Sequence, residues 1–419
     1  MLALMLVLAL GCALALVSAA VAIRCGRSLP QLAEQPSGLP VGLGRWPTVT
    51  VVIPARNEER AVATALRSRL ADDYPALDVV FVDDRSTDGT AAIAGSLAAE
   101  DPRLKVVSIE ALPEGWLGKV HALHRGTRVA RGEWLLFSDA DVHVSPGTLR
   151  CAVAYAEARR LDMLTAIPEF ECPTLALDAT VTVMLRVLLV GMPPWKVSDP
   201  RSSVAVGCGA FNLVSRSSFE RTPGFEWLRM EAGDDLGVGV LMKTCGFRTE
   251  LVGARGGLRL EFYRNAGELW RSMEKNATIF RLPALLAMTF AVLAALFGEL
   301  APLGAIALGA VRAPWLLALG VLSLVAATAG TALVRYAEDG RILPALAWPL
   351  GSPLLLLGML RSFWLGYLRG GVQWRDTFYA KEQVAEGARV FSLKARRELA
   401  ATWRGRPAEE EPEPLAAEA

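Results

Sequence analysis

No two of the six cysteines (Cys12, Cys25, Cys151, Cys172, Cys208 and Cys245) stand in CxxC spacing, so neither a zinc site nor a disulfide framework has support. They read as small buried hydrophobes, consistent with a reducing compartment. An excess of one charge is missing as well. Forty-four Lys and Arg face 43 Asp and Glu, a net charge of +1 with a pI near 7.6. A nucleic-acid partner calls for a basic stripe and is not expected here. Charge is absent altogether from Met1 to Ile23, an apolar run long enough to cross a bilayer. No Lys or Arg precedes that run, as one would in a cleaved signal peptide, whereas Arg24 and Arg27 follow it. The reading is a retained transmembrane anchor over residues 1–24, with the chain beyond it on the cytoplasmic side.

Apolar residues are abundant, at 53% of the chain and a mean hydropathy of +0.33. Three further apolar stretches, Leu282–Val311, Ala313–Val334 and Ile342–Leu360, are each long enough to span, and Pro302, Pro344, Pro349 and Pro353 allow kinks or a re-entrant piece. Region 282–365 is therefore read as transmembrane or re-entrant. Residues 366–407 hold nine Lys or Arg against four acids, which puts this basic segment in the cytoplasm. Three spans would leave it on the side opposite the middle of the chain. Either one stretch is interfacial or re-entrant, or Leu282–Val311 is a tight pair. The acidic, Pro-rich end, residues 408–419, predicts a disordered tail. A multi-pass protein of the cell (inner) membrane, its catalytic domain cytoplasmic, is the expected arrangement.

Residues 46–263 look globular. The runs "TVTVVIPA" (48–55), "DVVFVDD" (78–84), "LKVVSIE" (104–110) and "EWLLFSDAD" (133–141) alternate with helical patterns near 57–70, 88–100 and 118–130. This βαβα rhythm with near-continuous apolar strands indicates a mostly parallel sheet covered by helices on both faces. Ligands of such sheets bind beyond the carboxyl ends of the strands. "PARNE", Asp83-Asp84 and Asp139/Asp141 all stand at such ends.

Each cluster has a chemical reading. Asp139 and Asp141, two apart on a strand, point to the same side and make a hard-oxygen site for Mg2+ or Mn2+. Asp83 and Asp84 can accept hydrogen bonds from a nucleobase N–H or ribose hydroxyls, while Ser86, Thr87 and Asp88 cap the next helix. Lys119 opens a helix just after Gly115 and Gly118; a phosphate or base contact and an ordinary solvated lysine both remain open. His121, His124 and His143 read as structural or surface residues. Asp234-Asp235 leads a helix ending at Gly246, either as a cap or as a general base for an acceptor hydroxyl. In 264–281, Arg264, Arg271, Lys275 and Arg281 alternate with Leu269, Trp270, Met273, Ile279 and Phe280, the pattern of an interfacial amphipathic helix or of one packed on the domain. "LRVLLVGMPPW" (185–195) is a second membrane-facing candidate.

Taken together, "VVIPARNEE", "VDDRSTDGT", "SDAD" and the late Asp-Asp pair resemble the family 2 glycosyltransferases with the GT-A nucleotide-sugar-binding fold, over residues 48–281. The resemblance implies an α/β GT-A domain in which Pro54, Glu58, Asp83, Asp84, Lys119 and Asp139 bind the donor. It also implies Asp141 and Asp139 as metal ligands and Asp235, with Asp234, as the catalytic carboxylates. The family's usual Glu-Asp is Asp234-Asp235 here, which shortens one arm. The N-terminal anchor, "GWLGK", "LWRSMEKNATIF" and "GGVQWRDTFY" look most like the hopene-associated, carotenoid-acid and ceramide-type enzymes that glycosylate lipids. That likeness implies an acceptor and membrane side at Trp270, Lys275, Asn276, Trp374 and Arg375. The (Q/R)xxRW string of polysaccharide synthases and ceramide enzymes does not occur. The expected activity is inverting transfer of a single sugar from a nucleotide-diphosphate sugar to a membrane lipid. A processive polysaccharide synthase and a sugar nucleotidyltransferase are the alternatives, and the latter wants a Gly-rich phosphate loop where "PARNEER" stands.

Overall fold

A computed structural model describes residues 1–274, 282–374 and 377–405. In chain order the strands are β1 Val49–Ala55, β2 Leu77–Asp84, β3 Leu104–Ile109, β4 Trp134–Phe137, β5 Val142–Val144, β6 Met163–Ile167, β7 Glu169–Glu171, β8 Asn212–Ser215, β9 Thr249–Gly253, β10 Leu258–Glu261, β11 Gly371–Trp374 and β12 Thr377–Ala380. The helices of eight residues or more are α1 Leu2–Ser28, α2 Val62–Leu70, α3 Thr90–Glu100, α4 Gly118–Val129, α5 Thr148–Arg159, α6 Leu175–Gly191 and α7 Asp234–Thr244. They continue with α8 Ala266–Met273, α9 Leu282–Arg312, α10 Pro314–Asp339, α11 Trp348–Arg369 and α12 Leu393–Trp403.

The central sheet has the order β3-β2-β1-β4-β8-β6-β9. All seven residues of β1 are buried, as its unbroken Val/Ile pattern requires of a strand covered on both faces. The pairs β1–β2, β2–β3, β1–β4 and β6–β9 are parallel, and β8 runs antiparallel to both neighbours. The first four strands and the three helices between them follow the predicted order. One expectation fails locally. The fourth strand ends at Phe137, so Asp139 and Asp141 are not strand neighbours but lie in the turn beyond it. The chain leaves the sheet there because β5 pairs with β10 in a separate three-stranded sheet, β5-β10-β7.

Three helices, Leu2–Ser28, Leu285–Arg312 and Pro314–Asp339, are long and apolar enough to cross a membrane, and α1, α9 and α10 pack on one another. The stretch Leu282–Val311 is one continuous helix and not a tight pair. The third C-terminal stretch, Ile342–Leu360, breaks into a single turn, Leu343–Leu346, and α11, which carries Arg361 and Arg369 and packs on α6, α8 and α9. The membrane-facing candidate at 185–195 belongs to α6, whose Val187 and Leu188 are exposed while its opposite side meets α11.

Buried ion pairs tie these helices to the domain. Arg335 of α10 is fully buried and reaches Asp178 of α6 at 2.7 Å and Asp339 at 2.6 Å, and it also pairs with Glu338. The backbone N–H of Phe170, in β7, donates to Glu338 at 2.7 Å. Arg186 of α6 pairs with Glu299 inside α9, beside the hydroxyl of Ser352. Charges in such places persist only when paired. Past α1, the Pro30 carbonyl accepts from Gly253 N–H at 2.8 Å, which joins the end of the apolar helix to β9.

Candidate active site

The carboxyl ends of β1, β2 and β4 open into a cavity of about 350 Å3, within the usual range for small-molecule sites. Pro54, Glu58, Asp84, Lys119, Asp139 and Asp141 of the expected donor and metal set all line it. Asp83 does not. Successive strand residues face opposite sides, and with Asp84 in the cavity Asp83 is buried, one carboxylate oxygen lacking a partner among the described residues. Asp84 is fixed by Arg85, whose Nε lies 2.7 Å from Oδ1. The first residue of α4 has to be glycine: a Cβ on Gly118 would lie 2.3 Å from Asp84 Oδ2.

The turn holding Asp139 and Asp141 is built on a buried arginine that the sequence reading passed over. Arg69 of α2 donates to Ser138 Oγ at 2.9 Å and to the Asp139 carbonyl, and Ser138 Oγ in turn donates to the Ala210 carbonyl at 2.7 Å. Burial pulls the Arg69 guanidinium down to about 10, with Asp141 and Asp139 opposing. The only sequence signal was a charge on the apolar face of α2, in register with Val62, Ala65 and Leu66.

Asp141 titrates well above an ordinary carboxylate, at about 6, because it is buried and because Asp139 and Glu58 add negative charge nearby. Asp139, its side chain 34% exposed, meets Lys119 Nζ at 2.7 Å. Lys119 also reaches Asp234 at 3.2 Å, which excludes the solvated-lysine reading. Burial alone would lower its ammonium, but Asp139, Asp234 and Asp235 outweigh that and hold it well above its usual value. No three His, Cys, Asp or Glu side chains among the described residues converge to hold a metal alone. The Asp139/Asp141 pair fits a divalent cation whose remaining ligands are water and a diphosphate. The repulsion that raises Asp141 is what such a cation would relieve.

A second, much smaller hollow shares Pro54, Lys119 and Asp139 with the first and adds Asp234 and Asp235 at the start of α7. Asp234 is buried and titrates near 6, raised by burial against the pull of Lys119, with Asp235 and Asp139 pushing the same way as burial. The Asp235 carboxylate accepts from Gly209 N–H at 3.0 Å and from Leu236 N–H at 2.8 Å. Gly209 also backs onto Asp139, where a Cβ would come within 2.4 Å of Oδ2. The two acidic pairs are therefore locked to one backbone segment.

Of the residues expected on the acceptor side, Trp270 is turned away from the cavity: its indole donates to the Leu354 carbonyl of α11 at 3.0 Å, in the space left by Gly358. Its neighbours Arg271 and Ser272 line the cavity. Lys275, Asn276 and Arg375 lie outside the described residues, as do the side chain of Trp374 and the acidic tail. Tyr379 is a cavity residue that no sequence argument singled out. The three histidines stay structural. His121 and His124 stack against Trp116, and His143, on β5 opposite Arg259, is not among the residues lining either hollow.

Comparison with known proteins identifies one domain of the chain. Residues 50–221 match the model for Glycosyl transferase family 2. The chain carries a family 2 glycosyltransferase domain. The succinoglycan biosynthesis protein ExoO of Rhizobium meliloti is 32% identical to it over 119 residues, 28% of this chain and 32% of that protein. A 4,4'-diaponeurosporenoate glycosyltransferase of Staphylococcus aureus is 38% identical over 96 residues, 23% of this chain and 24% of that one. The chain thus spans a third or less of the length of these curated relatives. A mannosyltransferase from Pyrobaculum calidifontis, solved with GDP-mannose and Mn2+, superposes with a TM-score of 0.50 at 19% identity, over 86% of this chain and 99% of that one. That likeness establishes the GT-A-type fold of the family 2 domain. The strand ends that carry Asp84, Asp139 and Asp141 lie inside the matched residues, whereas Asp235, Arg271 and Tyr379 lie beyond them.

Proposed function

We propose that the protein is an inverting glycosyltransferase that moves one sugar from a nucleotide-diphosphate sugar to a lipid-borne hydroxyl. One observation carries the lipid acceptor. The donor cavity is walled by Arg271 and Ser272 of α8, and α8 docks on α11, which packs against the apolar helix α9. A sugar at the cavity mouth therefore sits beside surface suited to hydrocarbon. The name of the Staphylococcus aureus relative, a 4,4'-diaponeurosporenoate glycosyltransferase, agrees with this.

In this reading Asp84 binds the nucleoside half of the donor, and Asp139 and Asp141 would hold Mg2+ or Mn2+. The metal, when bound, offsets charge on the departing diphosphate. Lys119 supplies a fixed positive charge to the same group, positioned by Asp234. Asp235 accepts the proton of the acceptor hydroxyl as that oxygen attacks the anomeric carbon from the face opposite the leaving group. One displacement inverts the centre. The protein sits in the cell (inner) membrane through α1, α9 and α10, with α11 along the interface, and its catalytic domain is cytoplasmic. Two crossings after the catalytic domain bring the basic segment back to the same side, in keeping with the contacts that segment makes with the domain. The test is sugar transfer by purified protein carrying Asp141→Asn or Asp235→Asn. Each is expected to lose at least about a hundredfold in rate, and undiminished transfer by either would remove that residue from its role.

A further inference from the structure

The walls of the donor cavity come from the family 2 domain except at α8 and at one residue that arrives from the far end of the chain. Tyr379 belongs to β12, which follows α11 and pairs with β11 in register Val372↔Tyr379. Strand alternation sends Phe378 outward, half exposed, and Tyr379 inward, 9% exposed. The phenol lines the cavity together with Gly118, at the start of α4, and Asp84. Burial raises it above an ordinary phenol, so the hydroxyl stays protonated and can both donate and accept.

The strap that delivers this side chain is anchored downstream. Glu231, itself buried, accepts from the backbone N–H groups of Arg389 at 2.6 Å and Val390 at 2.9 Å. Gly387 rests on Met230, where a Cβ would come within 2.1 Å, and Leu399 of α12 enters the same apolar cluster as Val238 and Leu241 of α7. These contacts fix the strap on the domain on the side of the cavity that holds Asp84 and Gly118, not at Asp141.

We propose that Tyr379 is a nucleoside-positioning residue, its ring forming one wall and its hydroxyl one polar contact for the base or ribose of the donor, so that the C-terminal strap completes the donor site. This rests on the glycosyltransferase reading of the cavity. The test is therefore direct binding, not turnover: titration of full-length protein in detergent with UDP and with GDP in the presence of Mn2+, followed by calorimetry. Tyr379→Ala is expected to weaken binding of the preferred nucleotide at least about tenfold, through loss of an aromatic wall and a hydrogen bond. Tyr379→Phe keeps the ring and the packing and is expected to lose roughly 3- to 10-fold through the hydroxyl alone. Phe378→Ala, on the outward face of the same strand, serves as the comparison and is expected to keep wild-type affinity for both nucleotides. Wild-type affinity in Tyr379→Phe and Tyr379→Ala alike would overturn this inference alone. Failure of the wild-type protein to bind either nucleotide would overturn it together with the reading of the cavity.

Discussion

Gly118→Ala separates the site from the stability of the fold. The new Cβ would sit 2.3 Å from Asp84 Oδ2 and 3.0 Å from Arg85 Nη2, closer than side chains tolerate. Asp84 is 4% exposed and held by Arg85, so the carboxylate has to move with its partner. Gly118 is not among the positive-φ glycines, and Ala at a compatible position gains about 0.4–1 kcal/mol by narrowing the unfolded ensemble. Displacing one packed, paired side chain costs about 1–3 kcal/mol. The gain offsets part of the cost to the fold, leaving about 0–3 kcal/mol, whereas in the site the displacement counts in full. Converted at 1.4 kcal/mol per decade, that is a rise in donor KM of roughly 5- to 150-fold. The assay is initial-rate kinetics against donor concentration, with thermal unfolding of the same preparation. The expected result is a raised KM with Tm within a few degrees of wild type. A KM within twofold of wild type would show that Asp84 does not touch the donor.

Asp141 supplies a pH dependence with a definite sign. Its carboxyl, raised by burial to about 6, binds a proton in the folded protein at pH values where the unfolded chain has already lost it, so this group lowers metal-free stability as pH rises from about 4 to 6. Asp141→Asn is expected to raise the metal-free Tm at pH 7.5, and a lowered Tm would contradict the assigned strain. Mn2+ is expected to stabilise the wild type more at pH 7.5 than at pH 5, since protons compete for the same oxygen, and equal shifts at both values would argue against Asp141 as ligand. Arg69→Met leaves the Asp139 carbonyl without its buried donor and loosens the metal turn; kcat/KM is expected to fall about 10- to 100-fold, with wild-type kinetics as the refuting outcome. Arg335→Met strands the buried Glu338 and leaves Asp178 and Asp339 only Arg341, and should destabilise by about 3–5 kcal/mol in detergent melts; an unchanged melt would show that Arg335 does not tie α10 to α6.

The parts of the molecule legible from sequence are those governed by local pattern. Runs rich in Val and Ile alternating with helical patterns marked β1, β2 and β3, and the uncharged opening segment marked α1. What escaped depends on partners far along the chain. Asp139 and Asp141 share a site, but through a turn pinned by Arg69, 70 residues earlier, and not through strand alternation. β8 enters the sheet antiparallel because it returns from the excursion through α6, which periodicity does not report. Ile342–Leu360 has the composition of a span, yet α11 is claimed by packing against α6 and by the Glu274–Arg361 and Glu274–Arg369 pairs at 2.7 Å each. Tyr379 was inside a quoted motif, but only the fold shows that its ring, and not that of Phe378, turns to the cavity.

The central claim, donor sugar delivered singly to a lipid, is tested most directly by supplying purified protein with labelled nucleotide-diphosphate sugars, Mn2+ and total membrane lipid, then measuring the mass of the label-bearing product in the organic phase. The account predicts a lipid heavier by one sugar residue, of inverted anomeric configuration, and no such product from Asp235→Asn. Label found only in water-soluble polymer, or in a ladder of many sugars on one lipid, would contradict it.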